Sequence, residues 1–366
     1  MNHHKYLLMM GLPLALMSGC AQNATAEATG DQTHPGAQAE PAPTQLSPTQ
    51  LSPTQPAEPA GSPAPGAMGA HALSTRLSFS SDPSVIPVGR PVTWTLKITD
   101  AKTGAPANDF ETEMTKKMHL IVVKNDLSWF NHIHPTLGQN GTFVVTATLP
   151  KPGTYKLYAD YTLKGRGQQV PQYELATDGG QPTPSTVALV PDKMQGPWLV
   201  NKFTSHPDSN PEARGGAAYQ VAMMPMPMPL KAGQNTMLHF QIRDAGGKPI
   251  KDLQPYLGAM GHCVILSGDT TKYLHSHPMA AGMEHDMSKM GAMDMSQMNE
   301  APAPKSGGPD VMFHTNFPAA GLYKVWGQFQ HRGQIITASF VVNVAPGAPA
   351  SASSQGASDE SKPHTH

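Results

Sequence analysis

The sequence is short of cysteine, with two in 366 residues, Cys20 and Cys263. That excludes a disulfide framework and any zinc or iron–sulfur centre built on four thiolates. Charged residues make up 14%, against about 25% in an ordinary domain. Lys+Arg 25 and Asp+Glu 26 leave a net charge of −1. A broad basic face for nucleic acid is therefore excluded, and so is an acidic, fully disordered chain. The apolar run Tyr6–Met17 has 12 residues, short of the ~20 that span a bilayer, and no later stretch is long and apolar enough. What the chain does have is 22 methionines and 17 histidines, with 37 prolines and 34 glycines that imply much loop or linker.

Lys5 followed by the Tyr6–Met17 run reads as a signal-peptide core. It ends in Leu16-Met17-Ser18-Gly19-Cys20, which resembles the bacterial lipobox and implies lipidation of Cys20. Residues 1–19 are thus expected to be a lipoprotein signal peptide, and the mature protein to be extracytoplasmic and anchored to a membrane by lipid. Ala21, rather than Asp, after the cysteine fits the periplasmic side of the outer membrane if the host is Gram-negative. Residues 20–72 are mostly Ala, Pro, Thr, Gln, Ser and Gly, with Gln-Leu-Ser-Pro-Thr repeated at 45–49 and 50–54. Such a segment buries too little apolar surface to offset its ordering entropy, so a disordered tether is expected. Residues 346–366 read as a similar tail.

The remainder is duplicated. His119, His132, His134 and Pro135 recur 143 positions later as His262, His275, His277 and Pro278. Pro150, Gly153, Tyr155 and Lys156 recur 168 positions later as Pro318, Gly321, Tyr323 and Lys324. The pattern is that of strands: Trp94, Leu96 and Ile98 alternate with Thr95 and Lys97, and Leu238, Phe240 and Ile242 alternate with His239 and Gln241. The expected fold is all-β: two tandem immunoglobulin-like β-sandwich domains, at 73–180 and 184–345.

Each copy carries three histidines on what reads as one hairpin. Between Met118 and Pro135 two strands flank the turn dipeptide Asn125-Asp126. With that pair at the centre, His119 is expected directly across from His132, with His134 on the same face. Opposed Cβ atoms lie ~4.5–5.5 Å apart, so three imidazoles could reach one ion at ~2.0–2.1 Å. In the second copy the centre falls on Gly268-Asp269, placing His262 across from His275, with His277 following. An open imidazole triad suits copper or zinc. Histidines merely hydrogen-bonded at a sheet margin are the structural alternative.

The two offsets differ by 25 residues (168 less 143), and the excess lies between Pro278 and Val311. This Met-rich stretch, 279–310, holds Met279, Met283, His285, Met287 and Met290 among others. Thioethers are soft ligands that select Cu(I) or Ag(I) and, unlike thiols, cannot form disulfides. A stripe of Met packed on the domain is the alternative. Met223-Met224-Pro225-Met226-Pro227-Met228-Pro229 reads as polyproline-like, either an extension of that soft surface or the entry to an edge strand. Cys263 reads as a buried, small apolar side chain.

Met118-His119-Leu120-Ile121-Val122-Val123 with His132-x-His134-Pro135, and Tyr256 to His262 with His275-x-His277-Pro278, resemble a family of bacterial secreted tandem-domain proteins of YtkA-like domain type. More loosely, a β-sandwich with histidines and a Met-rich loop is similar to the periplasmic copper-resistance C proteins. The expected function is an extracytoplasmic, lipid-anchored metal-binding protein. It would capture, buffer or transfer copper, with silver as a mimic and zinc as the other candidate ion, and with a copper transporter or metallochaperone as partner. No nucleic-acid partner is expected. The candidate ligands are His119, His132, His134, His262, His275, His277, Met279, Met283, His285, Met287 and Met290. The alternatives are a structural or adhesive module without metal, and a zinc-dependent hydrolase. The sequence has no helix-borne His-Glu pair, nucleophile elbow or phosphate loop, so no enzymatic activity is expected.

Overall fold

The computed structural model describes residues 73–180, 189–206, 216–278 and 305–347. All regular structure among them is β. In the first half, one layer is β1 (Thr75–Asp82), β2 (Pro91–Asp100), β6 (Thr142–Thr148) and β5 (Thr136–Leu137), in that order. The other is β4 (Phe130–Ile133), β3 (His119–Lys124), β7 (Thr154–Leu163) and β8 (Gly167–Gln169), with β9 (Gln172–Ala176) also on β7. Val92, Trp94, Leu96 and Ile98 of β2 point inward and meet Leu120, Val122, Phe143, Tyr155 and Leu157. Strict alternation on β2 matches a strand with one dry face.

The second half winds one nine-stranded sheet into two layers. It contains β10 (Met194–Gln195), β11 (Trp198–His206), β12 (Ala218–Met226), β13 (Asn235–Asp244), β14 (His262–Ser267), β15 (Tyr273–Ser276), β16 (Asp310–Asn316), β17 (Gly321–His331) and β18 (Gln334–Val344). β11 switches layers: its first part pairs with β12 and its end, Ser205–His206, pairs with β18. Leu238, Phe240, Cys263, Ile265, Phe313, Phe329 and Phe340 fill the core. Both halves carry a tyrosine corner, an immunoglobulin-like feature. Tyr155 donates to the Lys151 carbonyl at 2.7 Å, and Tyr323 donates to the Ala319 carbonyl at 2.9 Å.

β3 and β14 do not alternate; both are buried on each face. A continuous apolar run means that both faces are covered. Leu120 and Val122, like Cys263 and Ile265, face their own cores. Ile121, Val123, Val264 and Leu266 instead join a third cluster, with Leu127, Phe130, Tyr158 and Trp326. There the β4–β3–β7 sheet packs against the β15–β14–β17 sheet. The contacts repeat under an approximate two-fold exchange of the halves. Phe130 stacks on Trp326 at 4.8 Å and Tyr273 stacks on Tyr158 at 5.1 Å. Lys324 Nζ donates to the Leu127 carbonyl, and Lys156 Nζ donates to the Thr270 carbonyl.

Candidate functional site: a six-histidine cluster between the halves

The hairpin register differs from the sequence expectation by two residues. Ile121, not His119, pairs with His132, and Val264, not His262, pairs with His275. The same pairing continued places His119 opposite His134 and His262 opposite His277. The cause is the loop. Four residues, 125–128 and 268–271, turn the chain, with left-handed Leu127 and Thr270 (φ 54° and 60°) in third place. Leu127 N–H donates to the Lys124 carbonyl, and Thr270 N–H donates to the Ser267 carbonyl. The Asp126 and Asp269 carboxylates accept from Ser128 and Thr271 N–H. A slip of two leaves every side chain on its expected face, whereas a slip of one would have reversed it.

That face is the one between the halves. The sequence suggested two separate triads; the fold joins them. His119 lies 5.2 Å from His275 and 5.8 Å from His262 between ring centroids, and His132 lies 5.5 and 5.6 Å from the same pair. His119, His132 and His134 each offer a nitrogen within 4.8 Å of the others, and so do His119, His262 and His275. His119 is common to both sets. His277 sits 4.7 Å from His275 and 5.1 Å from His262.

The surroundings assign the ring protons. His119 Nε2 faces the Glu113 carbonyl at 3.2 Å, and His262 Nε2 faces the Tyr256 carbonyl at 3.0 Å. His132 Nδ1 lies 2.8 Å from Gln328 Oε1, whose amide nitrogen donates to Thr337 Oγ1. His275 Nδ1 lies 3.0 Å from Asp160 Oδ2. Each of these ring nitrogens is therefore the N–H donor, and in a neutral ring the other nitrogen keeps its lone pair. Those lone pairs face each other: His119 Nδ1 and His132 Nε2 are 3.0 Å apart, and His262 Nδ1 and His275 Nε2 3.4 Å, while His134 Nε2 lies 3.2 Å from His132 Nε2. Among the described residues, the His277 Nε2 is buried with no hydrogen-bond partner. Nitrogens sharing one tetrahedral ion at ~2.0–2.1 Å would be about 3.3 Å apart.

Burial favours the neutral form of His119, His132, His134, His262 and His277. It pulls His119 down to about 4, with His275 adding to the effect. It pulls His134 and His277 down to about 2, and His132 and His262 well below the ordinary value. Burial alone would raise the Asp160 carboxyl, but the hydrogen bond from His275 holds it below its usual range. Tyr273 Oη and Gln168 Nε2 also donate to this carboxylate.

Sequence reasoning missed Asp160 and Gln328, which occupy equivalent places on β7 and β17, facing His119 and His262 in register. Their shared 168-residue offset was the available signal. Cys263 is fully buried in the second core, where burial pushes its thiol up. Cys20, Met279, Met283, His285, Met287 and Met290 lie outside the described residues. Met223–Met226 is neither polyproline-like nor an edge: it is the end of β12, an interior strand between β11 and β13.

Fold and site together define a duplicated β-sandwich protein with a histidine cluster at the junction of its halves. The chain belongs to the family described as a domain of unknown function, DUF8832, whose pattern matches residues 74–177 and again 214–346. No curated protein matches the chain. Solved structures similar to it include trypsin-activated alpha-2-macroglobulin from Escherichia coli, at 11% identity and TM-score 0.22. That match covers 75% of this chain and 16% of the macroglobulin. The adhesin FdeC of Escherichia coli is 14% identical, covering 75% of this chain and 65% of that one, with TM-score 0.19. A putative membrane anchored protein from Corynebacterium diphtheriae is 12% identical, covering 73% and 57%, with TM-score 0.20. Likenesses of this size say nothing about function.

Proposed function

We propose that the cluster binds a transition-metal ion, copper before zinc, and that the protein captures, buffers or hands on copper outside the cytoplasm. The observation that carries this reading is the pairing of lone pair with lone pair. Two acceptors 3.0 Å apart, His119 Nδ1 and His132 Nε2, repel unless a cation lies between them. Protonation is the alternative remedy, and burial opposes it. Outer partners that fix the tautomer of each ring are the usual support of histidine ligands. In this reading His119, His132 and His134 hold one ion and His262, His275 and His277 a second, with His119 close enough to either to pass between them.

The lipid anchor at Cys20, the YtkA-like kinship and the thioethers of Met279, Met283, Met287 and Met290, with His285, belong to the same proposal and rest on sequence alone. The Met-rich stretch begins right after His277-Pro278. A copper transporter or metallochaperone is the expected partner. The test is a copper titration of the full mature chain against a chromophoric chelator, with zinc in parallel. Binding should be lost when all six histidines become alanine. Undiminished affinity in that variant would remove the cluster from the account.

A further inference from the structure

The outward face of β12, β13 and β16 carries another set of soft ligands. On β12, β13 and β16 the core takes Met223, Leu238, Phe240, Val311 and Phe313, so the residues between them point outward. In register, Met224 pairs with His239 and His239 with Met312; one rung along, Met226 pairs with Met237 and Met237 with His314. Four thioethers and two imidazoles thus form a two-by-three grid on one face. Directly opposed Cβ atoms in such a grid lie ~4.5–5.5 Å apart, and the flexible Met side chain can lean over a neighbour.

Four further observations point to a ligand. His239 Nε2 lies 2.7 Å from Asp310 Oδ1, which fixes the proton there and leaves the lone pair on Nδ1. The Trp198 ring stands 5.1 Å from the His239 ring, beside the same rung. Met224 and Met226 also line a shallow groove of about 310 Å³ with Met194 and Met228, so the thioethers are reachable from solvent. Among the described residues, the buried His314 Nε2 has no hydrogen-bond partner.

We infer that this face is a second metal site, selective for a soft monovalent ion such as Cu(I) or Ag(I), with Met224, His239 and Met312 as ligands and Met237 adjoining. The donor set is the reason. Thioether with a single imidazole favours soft ions, whereas an all-imidazole cluster suits Cu(II) and Zn. Its ligands are none of the six cluster histidines, so the two sites can be tested separately, although Ser276 Oγ donates to the His314 carbonyl next to the grid.

The experiment is NMR of the full mature chain with 13C-labelled Met methyl groups, assigned by single Met→Leu changes and titrated with Ag(I) to saturation. The Met224 and Met312 methyl signals should shift, and the Trp198 fluorescence should change with them. Both responses should persist when the six cluster histidines are alanine. They should disappear in Met224→Leu/Met312→Leu, a volume-conserving pair, and weaken at least tenfold in His239→Gln. Methyl signals that stay fixed at Ag(I) saturation would overturn the site, whatever binds elsewhere.

Discussion

His275 and Asp160 belong to opposite halves of the duplication, yet the ring Nδ1 lies 3.0 Å from the carboxylate Oδ2, both deeply buried. The equivalent contact, His132 with Gln328, has a neutral amide in place of the anion. A carboxylate behind a ligating histidine raises its basicity, and losing such a partner typically costs 10–100-fold in affinity. Asp160→Asn keeps an acceptor for the ring proton and removes the charge. We expect it to weaken one of two copper-binding steps by that factor in a chelator competition. Gln328→Glu should strengthen the other. Equal affinities in all three proteins would show that these contacts are structural only.

The second prediction concerns pH. In the metal-free protein burial holds His119 at about 4 and His134 and His277 at about 2. The unfolded chain protonates the same rings near 6.5. Between those values the unfolded state binds more protons, so stability rises with pH and falls as the solution is acidified below about 6.5. Each ring contributes up to about 1.4 kcal/mol per pH unit in its window. Urea unfolding at pH 7 and pH 5 should show the loss, and His134→Gln with His277→Gln should flatten it. An apo protein equally stable at both values would mean that the rings are not buried neutral.

The all-β class was legible because β2 and β13 alternate with strict period two, and the histidine face was legible because parity survives an even slip. The register itself was not. Asn125-Asp126 and Gly268-Asp269 are good two-residue turns on composition, but four-residue loops with left-handed Leu127 and Thr270 formed instead. Nothing about leucine or a β-branched threonine announces that conformation. The joining of the two triads was written in Leu120–Val123 and Val264–Leu266, runs too apolar for strands with a wet face. Which partner covers such a run is a tertiary fact, and no local pattern contains it.

If the cluster requires both halves, damage to their contact far from any ligand should reach the metal. Trp326 is nearly fully buried and stacks on Phe130 across the junction. Trp326→Ala should cost about 3–5 kcal/mol. It should also shrink the rise in melting temperature that copper produces, since binding stabilises only the state in which the site is assembled. A destabilised protein with an unchanged copper-induced rise would argue that each half binds alone.

The turn ahead of β14 links backbone conformation to ligand geometry. Leu257 and Gly258 are both left-handed, at φ 51° and 83°, and the turn presents the Tyr256 carbonyl to His262 Nε2 at 3.0 Å. A Cβ on Gly258 would stand 3.0 Å from Thr115 Cγ2, in the equivalent turn of the other half. Gly247 has nearly the same φ, 84°, but its Cβ would meet only Gln220 Oε1 at 3.8 Å. Gly258→Ala and Gly247→Ala should therefore share a conformational cost of about 1–2 kcal/mol, read as a matched drop in urea midpoint. Only Gly258→Ala pushes the turn away from its counterpart and disturbs the carbonyl that sets the His262 tautomer. Copper affinity should fall in that variant alone. A parallel loss in Gly247→Ala would trace the effect to general destabilisation, and no loss in Gly258→Ala would detach the turn from the site.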